Sequence, residues 1–194
     1  MSEFQLYFGL GKDHILDVNG FDHILFILAL CILYSLREWR RVLVLVTAFT
    51  VGHSITLALS TLEIINVKTE LIEFLIPVTI LITAVSNIAS SGDRPADRRV
   101  NLNYLYAAFF GLIHGMGFSN YLKSILGRDR TIFTQLFAFN VGLEFGQIIV
   151  VIVFLITGYV LVEVFGVNRR DWKLVISSAI GGIALILMKD NVFW

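Results

Sequence analysis

Six apolar runs divide this chain, and each is near the length that crosses a bilayer. They cover residues 20–36, 42–62, 71–90, 102–122, a run within 133–165 (its spanning part taken as 136–163) and 172–188. A membrane helix needs about 20 mostly apolar residues. Inside hydrocarbon every backbone N–H and C=O must be paired within the segment or within a closed barrel. No strand alternation competes with these runs, so the expected fold class is all-α. The expected architecture is a bundle of six transmembrane helices, with residues 1–194 forming a single integral membrane domain. Composition agrees: 57% of residues are hydrophobic and 15% are charged, against about a quarter charged in soluble domains. The fifth run is too long for one untilted crossing at about 1.5 Å per residue, so its start is expected to project beyond the hydrocarbon.

Fifteen basic and fifteen acidic residues balance, which excludes the basic surface of a nucleic-acid binder. The expected partners are a lipid bilayer and a metal ion, and a homo-oligomer is left open. The lone Cys31 has no internal disulfide partner and reads as packing. Residues 1–13 lack the basic start and apolar core of a cleavable signal. Residues 4–17 are too short and polar to span, and are expected to form an interfacial or re-entrant segment. Loops after runs one, three and five hold Arg37, Arg40, Arg41, Arg94, Arg98, Arg99, Arg169, Arg170 and Lys173. The opposite side holds Lys12, Lys68, Lys123, Arg128, Arg130 and Lys189. By the positive-inside rule both termini are expected outside the cytoplasm.

Ionisable residues inside such runs are costly, by roughly 2.5–3.5 kcal/mol on insertion scales, and each is a functional candidate. The histidines are His14, His23, His53 and His114, the last three within runs; the embedded acids are Asp22, Glu73, Glu144 and Glu163. With alternating crossings, the starts of runs one, three and five share a leaflet with the ends of runs two, four and six. Asp22, His23, Glu73, Asn140, Glu144, His53 and His114 all fall there. Asn19-Gly20 is a turn signal that would let His14 fold back towards Asp22 and His23. Adjacent Asp22 and His23 point about 100° apart on a helix, so one could ligate while the other orients a neighbour. Neutral imidazoles with one or two carboxylates suit a first-row transition metal.

Each residue also has a structural reading. His53 or His114 alone could be a helix-to-helix hydrogen bond, Glu73 a surface acid, and Asp22 a helix cap. Thr50, Ser54 and Thr56 could bond their own backbone. Asn140 and Gln147 could join helices, and the pairs Gly111/Gly115 and Gly142/Gly146 suit close helix packing.

At these residues the chain resembles the HupE/UreJ family of hydrogenase and urease accessory membrane proteins. The matching stretches are GFDHILFIL at 20–28, FTVGHSITLAL at 49–59, IEFLIPVTI at 72–80, FGLIHGMGFSNYL at 110–122 and FNVGLEFGQ at 139–147. The resemblance implies a six-span protein of the bacterial inner (cytoplasmic) membrane linked to nickel handling. By motif it points to His14, Asp22, His23, His53, Glu73, His114 and Glu144 as metal residues. It makes nickel the expected metal, with zinc or another divalent ion as the alternative.

Two functions fit. One is a secondary permease for a divalent metal, with capture at the outer mouth by His14, Asp22 and His23 and transfer to His53, His114 and Glu144. The other is an intramembrane metallohydrolase acting on a lipid or membrane peptide, with Glu73 or Glu144 as general base. A metal-binding accessory or sensor protein is a third. The inner halves of the runs carry Thr83, Ser86, Asn87, Ser90, Asn103 and Tyr104, with Thr157 and Tyr159 on run five, rather than strong soft-metal ligands.

Overall fold

The computed structural model describes residues 2–17, 20–90, 97–119, 122, 125 and 132–194, without the side chains of 97–102. Asn19 of the turn signal, the loop from Ser91 to Pro95 with Arg94, the side chains of Arg98 and Arg99, and Lys123, Arg128 and Arg130 lie outside the described residues.

Among the described residues all regular structure is helical: α1 (Glu3–Leu16), α2 (Asp22–Cys31), α3 (Trp39–Thr61), α4 (Thr69–Ala89), α5 (Asp97–Gly117), α6 (Ile132–Tyr159) and α7 (Arg169–Asp190). A 3-10 turn at Leu36–Glu38 feeds α3, and α6 runs on through a π turn at Val160–Val164. Four stretches are long and apolar enough to cross a membrane: Leu36–Thr61, Thr69–Ala89, Ile132–Val164 and Arg169–Asp190. These make the chain a membrane protein. α2 is shorter than the run that contains it, and its 10 residues reach only about 15 Å.

The N-terminal segment is a regular helix lying lengthwise on α6. Ser2 opens it with a capping box closed by Gln5. Gln135 Nε2 donates to Glu3 at 2.6 Å, Gly142 meets the Phe8 backbone, and Gly146 meets Lys12 and Ile15. Residue numbers rise together along both helices, so α1 and α6 run parallel. The contact is backbone to backbone: a Cβ on Gly11 would overlap the Phe139 carbonyl, and one on Gly142 the Phe8 carbonyl. After a break, Ile32 and Tyr34, just past α2, lie beside Phe154, Leu155 and Gly158 of the same long helix. α1 and α2 in series thus accompany one continuous α6. This accounts for the length of the fifth run, since it must match two short helices end to end.

The other pairs follow from equally local contacts. α3 and α5 run parallel, seated through Gly52 on Ala108, Gly111 on Phe49 and Gly115 on His53, a small-residue contact that suits a medium with no hydrophobic drive. α4 and α7 run antiparallel: Lys173 Nζ donates to the Ser90 carbonyl at 2.8 Å, and Gly181 faces Ala84. Near the other end, Phe74 packs on Phe193 and Trp194. Asn87 Nδ2 donates to the Ala29 carbonyl at 2.7 Å, tying α4 to α2. The buried centre includes Phe26, Phe49 and Phe139.

Candidate metal centre

The four histidines come from four helices and meet in one place. His14 lies in the last turn of α1, Asp22 and His23 open α2, and His53 and His114 come from α3 and α5. Ring centres are 4.6 Å apart for His14 and His23, 4.9 Å for His23 and His114, 5.9 Å for His23 and His53, and 6.2 Å for His14 and His53. Among the described residues, ligand atoms of Asp22, His23 and His114 lie within 4.8 Å of one another. His53 and His114 are fully buried. Aromatic rings wall the group: Phe118 lies 4.1 Å from His14, while Phe26 and Phe49 lie 5.1 and 5.2 Å from His114.

The break between α1 and α2 makes this convergence possible. It brings the carbonyl end of one helix and the first turn of the next to the same depth. A helix C-terminus favours a cation, and discontinuous helices deliver ion sites in transporter folds.

Two hydrogen bonds set which ring nitrogens face the group. Asp22 Oδ1 accepts from the His23 backbone N–H at 2.9 Å and lies 3.1 Å from His23 Nδ1. With Nδ1–H held by the carboxylate, His23 Nε2 is left as the lone-pair nitrogen. Thr79 Oγ1 donates its one hydrogen to the Ile76 carbonyl at 2.7 Å. Its 3.3 Å contact with His114 Nε2 therefore uses Nε2–H as donor, which leaves Nδ1 as the lone pair. Partners of this kind orient histidines that ligate metals. Among the described residues, His14 Nε2, His23 Nε2, both nitrogens of His53 and His114 Nδ1 are buried with no protein hydrogen bond. Such orphaned atoms cost about 1–3 kcal/mol each in an ordinary core. Imidazole nitrogens with a carboxylate suit nickel, zinc or copper, so the donor set fits a divalent transition metal.

Among the described residues, neither of the two glutamates joins the ligand-atom group of Asp22, His23 and His114. Glu144 accepts a 2.6 Å hydrogen bond from Thr47, and Gln147, one turn on, accepts from Thr50 at 2.9 Å. Asn140 Nδ2 bonds the Leu136 carbonyl of its own helix. The polar stripe of α6 thus meets α3 through Thr47 and Thr50. Glu73 is exposed and shares a cavity of about 200 Å³ with Asp22, Pro77 and Asn191. A second, open recess of about 650 Å³ is lined by Asp13, His14, Asp17 and Phe118. Both cavities reach the cluster from the same end of the bundle. Thr79 is the site residue that sequence reasoning missed. Its signal is a helical polar stripe on α4, namely Thr79, Thr83, Ser86, Asn87 and Ser90.

No curated protein and no solved structure matches the chain. A family model described as HupE / UreJ protein matches residues 1–191; the chain belongs to the HupE/UreJ family.

Proposed function

We propose that this protein is a secondary permease for a divalent transition metal, nickel by family membership, in the inner membrane of a bacterium. The observation that carries the reading is the set of buried ring nitrogens on four histidines of four helices, freed of protein partners at a helix break. The metal is the cargo. His14, Asp22 and His23 receive it from the end of the bundle where the two cavities open, and His53 and His114 complete its shell. The six-crossing topology is part of the proposal, with α1 and α2 together making the first pass. Its support is the direction of four helix pairs: α1 with α6, α2 with α4 and α3 with α5 parallel, α4 with α7 antiparallel. Arg40, Arg41, Arg169, Arg170 and Lys173 then share one face, which the positive-inside rule assigns to the cytoplasm. The chain is proposed as one integral membrane domain with both termini outside. The hydrolase alternative finds less support, because Glu144 bonds Thr47 and Glu73 is exposed.

The test is metal analysis of purified protein with counterflow of nickel in liposomes, comparing wild type with His53→Ala and His114→Ala. Bound metal and flux in wild type, both lost in the variants, are the expected result. Stoichiometric metal without flux of any divalent ion would overturn the permease reading.

A further inference from the structure

The cavities already described reach the histidines from one end. A third cavity, of about 170 Å³, lies on the opposite side of the cluster between α2, α4 and α5. Thr83, Ser86, Asn87 and Asn103 line it, with Leu33 and Phe110. These polar groups stand in the half of the bundle that ends in the arginine-bearing loops. Asn103 Nδ2 also donates to the Tyr34 hydroxyl at 3.3 Å.

The α4 stripe joins this cavity to the histidines. Thr79 touches His114, and one turn on Thr83 donates to the Thr79 carbonyl at 2.8 Å. A further turn brings Ser86 and Asn87. Hydroxyls and amides at i, i+4, i+7 and i+8 share one helix face, and on a lipid-crossing helix such a face is expensive unless it meets water or protein. Between cluster and cavity stand Phe26 and Phe110, ring centres 5.6 Å apart, with Phe26 against His114. Phe110 lies one turn before His114 on α5.

We propose that this cavity is a hydrated inner vestibule, a transit site of hydroxyl and amide oxygens where a divalent cation passes after leaving the histidines, with Phe26 and Phe110 as the apolar gate. The inference rests on the permease reading. Oxygen donors bind such an ion more weakly than imidazoles, which lets it leave, and apolar constrictions gate by excluding water.

The test is cysteine accessibility in full-length protein carrying Cys31→Ala. Both positions are exposed at the same depth, but Ser86→Cys lines the cavity and Val85→Cys lies outside its lining. Arg40→Cys marks the arginine face. Vesicles of both orientations are treated with the cationic, membrane-impermeant thiol reagent MTSET, and nickel flux is measured before and after. Ser86→Cys should react at least about ten-fold faster than Val85→Cys, from the arginine face alone. Its labelling should cut nickel flux by about five-fold or more. Thr83→Cys replaces it if that variant does not accumulate. Equal reaction rates, reaction from the opposite face, or unchanged flux after full labelling would overturn the vestibule while leaving transport intact. Selective labelling in protein that moves no nickel even before treatment would instead overturn the permease reading, and the exit role with it.

Discussion

The imidazole of His14 lies 4.6 Å from that of His23, ring centre to ring centre, although the two belong to different helices with a break between them. The position of His14 follows from the seat of α1 on α6, along which α1 lies lengthwise. That seat depends on Gly11, whose absent side chain lets the Phe139 carbonyl close in. Gly11→Val should force the helices apart at a cost of about 1–3 kcal/mol, the usual range for overpacking. It should also weaken metal binding by withdrawing His14. On the same helix, a Cβ added to Gly9 would meet nothing within 4 Å, so Gly9→Ala should be neutral or slightly stabilising. Denaturation of the solubilised protein and metal titration check both. Equal behaviour of the two variants would show that the α1 seat does not position the site.

Asp22 and Glu144 separate by neighbours. Asp22 holds Nδ1 of His23 at 3.1 Å, while Glu144 accepts from Thr47. Asp22→Asn should therefore lower metal affinity by roughly 10–100-fold, as removal of an orienting carboxylate does elsewhere. Glu144→Gln should keep affinity near wild type, since an amide oxygen still accepts from Thr47. Isothermal titration of each variant with nickel decides it, and the opposite ranking would move Glu144 into the ligand shell.

An all-helical membrane protein is legible in the sequence because the hydrocarbon imposes a local rule: each span must be apolar and must satisfy its own backbone. That Asp22, His23, His53 and His114 come to one place in the bundle is legible from parity and the rise per residue. What hydropathy does not carry is direction around a helix. Glu144 shares a depth class with the histidines by count, yet its side chain goes to Thr47. The end of α2 at Cys31 is hidden because Ile32 and Leu33 are as apolar as the helix before them. The role of α1 is hidden too, since its 14 residues are too few to suggest a crossing partner for α6. Thr79 escapes notice because a threonine after Pro77 in an apolar run reads as backbone-bonded, and it does bond the Ile76 carbonyl; only the tertiary contact adds His114.

Thr79→Val tests the second outer partner. The change keeps the volume and removes the oxygen that accepts from His114 Nε2–H. The ring then loses the hydrogen bond that fixes its tautomer, and affinity for nickel should fall by about ten-fold or more. Because Val suits a buried helix position, folding should be preserved. Thr79→Ser, which restores the hydroxyl, should recover most of the loss. Failure of Ser to rescue would mean that packing, not the hydrogen bond, governs the effect.

Glu73 should act on rate rather than on affinity. It is exposed, shares a cavity with Asp22, and belongs to no group of ligand atoms with the histidines among the described residues. A carboxylate at a cavity mouth raises the local cation concentration and speeds capture, and salt screens that effect over about 10 Å at 0.1 M. Glu73→Gln should slow nickel uptake by about three-fold or more at low ionic strength, with the difference shrinking as salt rises. The equilibrium Kd of the solubilised protein should stay close to wild type. Uptake by wild type and variant in liposomes across a salt series checks the pair. A salt-independent loss of affinity in Glu73→Gln would make Glu73 a ligand and would place the metal closer to the cavity than the four rings do.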